Sequence, residues 1–167
     1  MRRINEKVAS LFSRLAVAKS GVAAIELGLL FPMIALLIIP LTDLGMGAYT
    51  QMQVNDAAQA GADYAARTAM YGFSSANISN AVTNATTLSG LSATPAPTLQ
   101  CGCANGSSVT FYAGSPPCTQ TCSVGGPGTY VTVSTQAKYT PFFGYGLLPL
   151  DGTGAMTLTA QSIVRIN

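Results

Sequence analysis

The sequence predicts an α+β protein. A long N-terminal transmembrane helix continues outside the membrane and packs against a small antiparallel β-sheet of three or four strands. Three observations predict this. The run from Val22, VAAIELGLLFPMIALLIIPLT, carries a single charge, Glu26. Residues 46–71 then keep a helical spacing of small side chains. The last third is rich in Val, Thr, Tyr and Ile, alternating between Gly/Pro clusters. The chain is 49% hydrophobic and only 8% charged, whereas a soluble domain carries about 25% charged residues. That deficit argues against an ordinary cytosolic enzyme and for membrane or assembly surfaces.

Residues 1–21 form a basic leader, with Arg2, Arg3, Lys7, Arg14 and Lys19 set against Glu6. A basic patch is also a nucleic-acid footprint. This one abuts an apolar run, so the positive-inside rule is the better reading. We therefore expect no nucleic-acid partner. The leader is placed in the cytoplasm, and the C-terminal part on the periplasmic or extracellular side of a bacterial inner membrane.

Residues 22–44 are the membrane segment, since about 20 apolar residues in a helix span the hydrocarbon core. Pro32 and Pro40 lie inside it, and membrane helices tolerate such breaks better than soluble ones do. Asp43 closes the segment and is expected to face water or head groups.

Residues 45–71 continue the helix outside the membrane. Val54, Ala58, Gly61, Ala65 and Thr68 are spaced 4, 3, 4 and 3, which puts them on one stripe. Small side chains allow a close approach, so the stripe should pack on its own domain, with helix contact between subunits as the alternative. Asp63 and Arg67 fall at i, i+4 on another face, where they are expected to pair. Asp56 and Asp63 read as a solvated face.

Residues 72–167 make the outer domain. Residues 75–88 suggest a short second helix, and 89–100, with Pro95 and Pro97, an extended loop. Strands are expected at 108–113, 129–140 and 155–166. Their Ser and Thr content suggests one solvated face and one face packed on the long helix.

The chain has no His and four Cys. Lacking His, it has no Ser-His-Asp or Cys-His nucleophile system and no His-ligated metal site. The cysteines read Cys101-Gly-Cys103 and Cys118-Thr-Gln-Thr-Cys122. Zinc and a redox pair are alternatives for such spacing. On the exported side, two structural disulfides stapling the loop 101–122 are the better reading. Closure of Cys101 on Cys103 is too tight to favour. One Cys of each cluster should therefore pair with one of the other, and both such connectivities remain open. We expect no catalytic residues, no metal and no cofactor.

The most specific motif is Lys19-Ser20-Gly21-Val22-Ala23-Ala24-Ile25-Glu26-Leu27. A Gly ends a basic leader, and a carboxylate follows five residues later inside an apolar helix. An ionisable group in such a segment is a functional candidate by default. Here the sequence resembles type IV prepilins, which a membrane peptidase cuts after Gly and whose mature fifth residue is Glu. GVAAIELGLLFP is similar to the opening of TadE-like proteins of the tight-adherence (Tad/Flp) pilus system. Leu27 and Gly28 depart from the residues more usual there, an aromatic and Ala.

The resemblance implies cleavage between Gly21 and Val22 by a prepilin peptidase. It implies that Glu26 meets the N-terminal amine of a neighbouring subunit. It also implies a minor pilin, pseudopilin or membrane-anchored assembly component, with other pilin subunits and the inner-membrane assembly platform as partners. The alternative is a secreted or periplasmic binding module whose signal peptide is cut before Ala48.

Overall fold

The computed structural model describes residues 20–142 and 150–166. The basic leader lies outside the described residues apart from its last two, Ser20 and Gly21. The chain divides into two compact units, Met1–Asp43 and Leu44–Asn167.

Helix α1 runs Ser20–Thr68, with Pro32 and Pro40 inside it. It is long and apolar enough to cross a membrane. In the first unit its side chains are almost all exposed. Leu29, Phe31, Leu36, Leu37 and Leu41 are each about two-thirds exposed or more. An apolar surface that covers the helix all round is stable in lipid or against partners, not in water. Asp43 corrects one expectation: it is only 4% exposed, rather than turned to water.

The second unit begins within α1. There Val54, Ala57, Ala58, Ala62 and Ala65 are buried, and so is Gly61. A 3₁₀ turn, Ala69–Tyr71, follows the helix and ends at Gly72. Gly72 takes φ +94°, a conformation that costs a Cβ-bearing residue and so ends the helix there. Helix α2, Ser75–Asn84, starts at Ser74, whose hydroxyl accepts the Asn77 amide N–H. Such a cap satisfies one of the orphan donors of the first turn. Its Ile78 and Val82 are buried one turn apart.

Four strands follow: β1 Thr98–Asn105, β2 Ser108–Tyr112, β3 Gly128–Tyr139 and β4 Met156–Arg165. The sheet order is β2-β1-β3-β4, and every neighbouring pair is antiparallel. Strand β1 occupies part of the predicted loop and the first cysteine pair. Its hairpin to β2 turns through Gly106-Ser107, with Gly106 at φ +61°, as a two-residue hairpin loop opening on Gly requires.

Period-two burial on β3 sets the faces. Val131, Val133, Thr135, Ala137 and Tyr139 point inward and are buried, while Lys138 is exposed. Across the ladder Val131 meets Val164, and Ala137 meets Leu158. These residues form one core with Val54, Ala57, Ala62 and Ala65 of α1 and with Ile78 and Val82 of α2. The Thr135 hydroxyl, fully buried, donates to the Val54 carbonyl at 2.9 Å. Polar residues survive in such cores when they are hydrogen-bonded in this way.

The outer face explains the glycine between Cys101 and Cys103. Gly102 stands opposite Gly128 on β3 and opposite Phe111 on β2. A Cβ on Gly102 would lie 2.7 Å from Val109 Cγ1 and 3.2 Å from Tyr130. The vacant space admits the Tyr130 ring, which meets Phe111 edge-on at 6.2 Å between centroids.

Candidate assembly site

Gly21, Val22 and Glu26 all lie on α1, which begins at Ser20 in the described residues. Val22 and Glu26 are four residues apart along it. Glu26 is exposed, as are Ile25 at 67% and Leu27 at 63%. The carboxylate therefore stands on an apolar helical surface and is not consumed by the core of its own chain. Chemically it is a hydrogen-bond acceptor and an anion, suited to a cation presented at the same depth.

The small-residue stripe is built into the second unit. A Cβ on Gly61 would sit 2.6 Å from Val82 Cγ2 and 2.9 Å from Val133 Cγ1. Gly61 thus lets α1 lie against both α2 and β3 at a distance no larger residue permits. Thr68, the last member of the stripe, is half-buried and donates its hydroxyl to the Tyr64 carbonyl. Asp56 and Asp63 are exposed. Asp63 and Arg67 do not form the ion pair expected of them, whereas Lys138 and Asp151 do pair, at 3.6 Å. Two exposed charges gain only a few tenths of a kcal/mol by pairing on a helix, so hydration of each competes successfully.

Residues 21–63 match the family model of the TadE-like proteins. This TadE-like segment takes in Gly21, Glu26, the exposed apolar part of α1 and most of the buried stripe. It points to a component associated with a Tad pilus. No curated protein and no solved structure matches the chain.

Outside the TadE-like segment, the four cysteines pair across their two clusters. Cys101 joins Cys118 with Cα atoms 5.5 Å apart, and Cys103 joins Cys122 at 5.6 Å. Cys101 and Cys103 both lie on β1, where alternation puts them on one face of the sheet. The loop carrying Cys118 and Cys122 is thereby held against that face. The Thr129 hydroxyl, 3.5 Å from Cys118 Sγ, is the donor in that contact, since a disulfide sulfur has no proton to give. Among the described residues no group of three or more His, Cys, Asp or Glu is placed to hold a metal ion.

Asp151 lies outside the candidate residues that the sequence motifs mark. It organises the return into β4: its Oδ1 accepts from the Thr153 hydroxyl, the Thr153 amide N–H and the Ala155 amide N–H. The Thr153 hydroxyl, these two amides and the Lys138 charge lower its pKa from 3.8 to about 2. The pattern Asp-Gly-Thr-Gly was a turn signal available in the sequence.

Proposed function

We propose that the chain is a minor pilin, pseudopilin or membrane-anchored assembly component of a Tad/Flp-type pilus, acting in pilus biogenesis and adherence. The observation that carries this reading is a TadE-like match that includes both Gly21 and Glu26, on a helix whose apolar surface is exposed on every side. In this reading the chain is a single-pass protein of a bacterial inner membrane. Its N-terminus is cytoplasmic and its C-terminal unit periplasmic or extracellular.

A prepilin peptidase cuts between Gly21 and Val22. The new amine of one subunit then pairs with Glu26 of its neighbour. In a low-dielectric setting each charge relieves the cost of leaving the other alone. Other pilin subunits and the assembly platform are the partners. The competing cut before Ala48 is disfavoured because it falls inside α1. Gly47 is buried there, and a Cβ on it would lie 3.4 Å from the Tyr139 ring.

The test is Glu26→Ala in a strain with no other copy. Membrane level and disulfides should be unchanged, since Glu26 lies outside the core. Piliation or surface adherence should be lost, because an unpaired buried charge costs about 3–5 kcal/mol. Glu26→Gln should behave like Ala, keeping a hydrogen-bonding group without the charge. Wild-type piliation at normal abundance would remove Glu26 from the assembly role.

A further inference from the structure

We propose that Asn105, at the tip of the β1–β2 hairpin, is a self-modification site. Its carboxamide converts spontaneously to a carboxylate, and the Ser108 hydroxyl promotes the change. The inference rests on the hairpin alone and is independent of the assembly reading.

Asn105 is the last residue of β1 and pairs with Ser108, the first of β2. Both are exposed. Gly106 and Ser107 lie between them, so the Gly106 amide sits in the turn, outside the ladder. Among the described residues no group holds the Asn105 carboxamide. Gly106 has no Cβ to hinder the approach of its own nitrogen to Asn105 Cγ. The Ser108 hydroxyl donates to the Asn105 main-chain carbonyl at 3.1 Å. That carbonyl is conjugated with the Gly106 nitrogen. When the Gly106 N–H is deprotonated, the negative charge is shared with this oxygen, and a hydrogen bond to the charged form favours it.

The Gly106 N–H proton passes to hydroxide, and the nitrogen attacks Asn105 Cγ. The new Cγ–N bond forms and the Cγ–Nδ2 bond breaks. Nδ2 takes a proton from water and leaves as ammonia, which restores the hydroxide. Water then adds to either carbonyl carbon of the succinimide ring and cleaves its bond to nitrogen. Addition at Cγ leaves Asp in an ordinary main chain. Addition at the main-chain carbonyl leaves isoaspartate, whose main chain runs through Cγ. Water is consumed and ammonia released, with no oxidation or reduction.

Other positions lack this arrangement. No other Asn precedes a Gly. The amides after Asn77 and Asn84 are committed: the Ile78 N–H donates to the Ser74 carbonyl at 3.1 Å, and the Ala85 N–H to the Val82 carbonyl at 3.2 Å. Asp151 precedes Gly152 and leads to the same ring. There Thr153 and Ala155 hold its Oδ1 and keep it ionised. Attack on a carboxylate adds a second negative charge to the same group, so Asp151 is protected. No Asp, Glu, Lys or Arg occurs from residue 68 through 137, so the product at Asn105 is the first charge in that stretch. The disulfides fasten β1 at Cys101 and Cys103, short of the tip, so the stem keeps its pairing while the tip changes.

The experiment incubates the folded, disulfide-intact full chain in heavy-oxygen water at mildly alkaline pH. Digestion then follows in ordinary water at acid pH, so the label marks only what happened in the folded chain. Mass spectrometry should find a solvent oxygen in place of the amide nitrogen at Asn105, with isoaspartate beside Asp. The rate should rise about ten-fold per pH unit, as the ionised fraction of a weak acid does below its pKa. Asn105→Gln should stop the reaction, because the longer side chain must close a larger ring. Ser108→Ala should slow it about five-fold, as loss of one ordinary hydrogen bond does, and should leave the rate in the denatured chain unchanged. Both positions are exposed, so the fold is left intact. Product confined to the denatured chain, product at Asp151 or spread over other Asn residues, or a folded-state rate indifferent to Ser108→Ala would each overturn the proposal.

Discussion

Gly61 of α1 and Val82 of α2 approach so closely that a Cβ on the glycine would come within 2.6 Å of Val82 Cγ2. Val82 is fully buried, as is Val133 beneath it, so neither has free space to move into. Gly61→Ala gains about 1 kcal/mol of helix propensity. It also forces overpacking, which typically costs about 1–3 kcal/mol. The clash meets two side chains at once, so a net loss is expected. It should appear as a fall of a few degrees in the melting temperature of the purified chain. Adding Val82→Ala should restore part of that loss. The two changes should then be non-additive by at least about 0.5 kcal/mol. Strict additivity would mean that α1 and α2 do not meet at this point.

The disulfide pairing makes a second prediction. Cys101–Cys118 and Cys103–Cys122 span 17 and 19 residues in sequence. Chain-entropy arguments assign loops of this size about 3 kcal/mol each, less where they overlap as these do. Cys103→Ser with Cys122→Ser should leave no free thiol and destabilise the C-terminal unit by about 2–4 kcal/mol. Cys103→Ser with Cys118→Ser should leave two thiols that alkylate under denaturing, non-reducing conditions. The reverse labelling pattern would support the crossed connectivity instead.

Asp151 supplies a pH dependence. Its pKa falls from 3.8 to about 2, so the folded state favours the ionised form. A lowered carboxyl pKa adds stability that is complete above the unfolded value and is lost as pH falls through the folded one. The window is thus roughly pH 4 down to 2. In that window the amides of Thr153 and Ala155, which Asp151 holds, should exchange faster with solvent. Asp151→Asn should abolish that acid-induced step. A carboxyl titrating near 4 would mean that these hydrogen bonds do not persist in solution.

Much of this fold was legible because it is periodic. Val54, Ala58, Gly61 and Ala65 repeat at helical spacing, and all are buried. The β3 residues Val131, Val133 and Thr135 alternate at the period of a strand and are buried too. Strand β1 was not legible. TLQCGCAN has a central Gly and few β-branched residues, and it is held by its neighbours and by two disulfides rather than by local preference. The burial of Asp43 was hidden for a related reason: sequence gives its place at the end of an apolar run but not what surrounds it. Spacing could bring the cysteine clusters together, but only the register of β1 against the loop distinguishes the two pairings. For the candidate site, the register of Gly21, Val22 and Glu26 is a linear signal. The proposed partner of Glu26 belongs to another molecule, so the fold of one chain carries no trace of it.

The most direct measurement is the N-terminal residue of the protein isolated from its native membrane. The account predicts Val22, which makes Glu26 the fifth residue and supplies the amine that the assembly contact requires. A mature chain beginning at Ala48 would contradict it: Glu26 would be discarded with a signal peptide and the assembly role would have no residue to perform it.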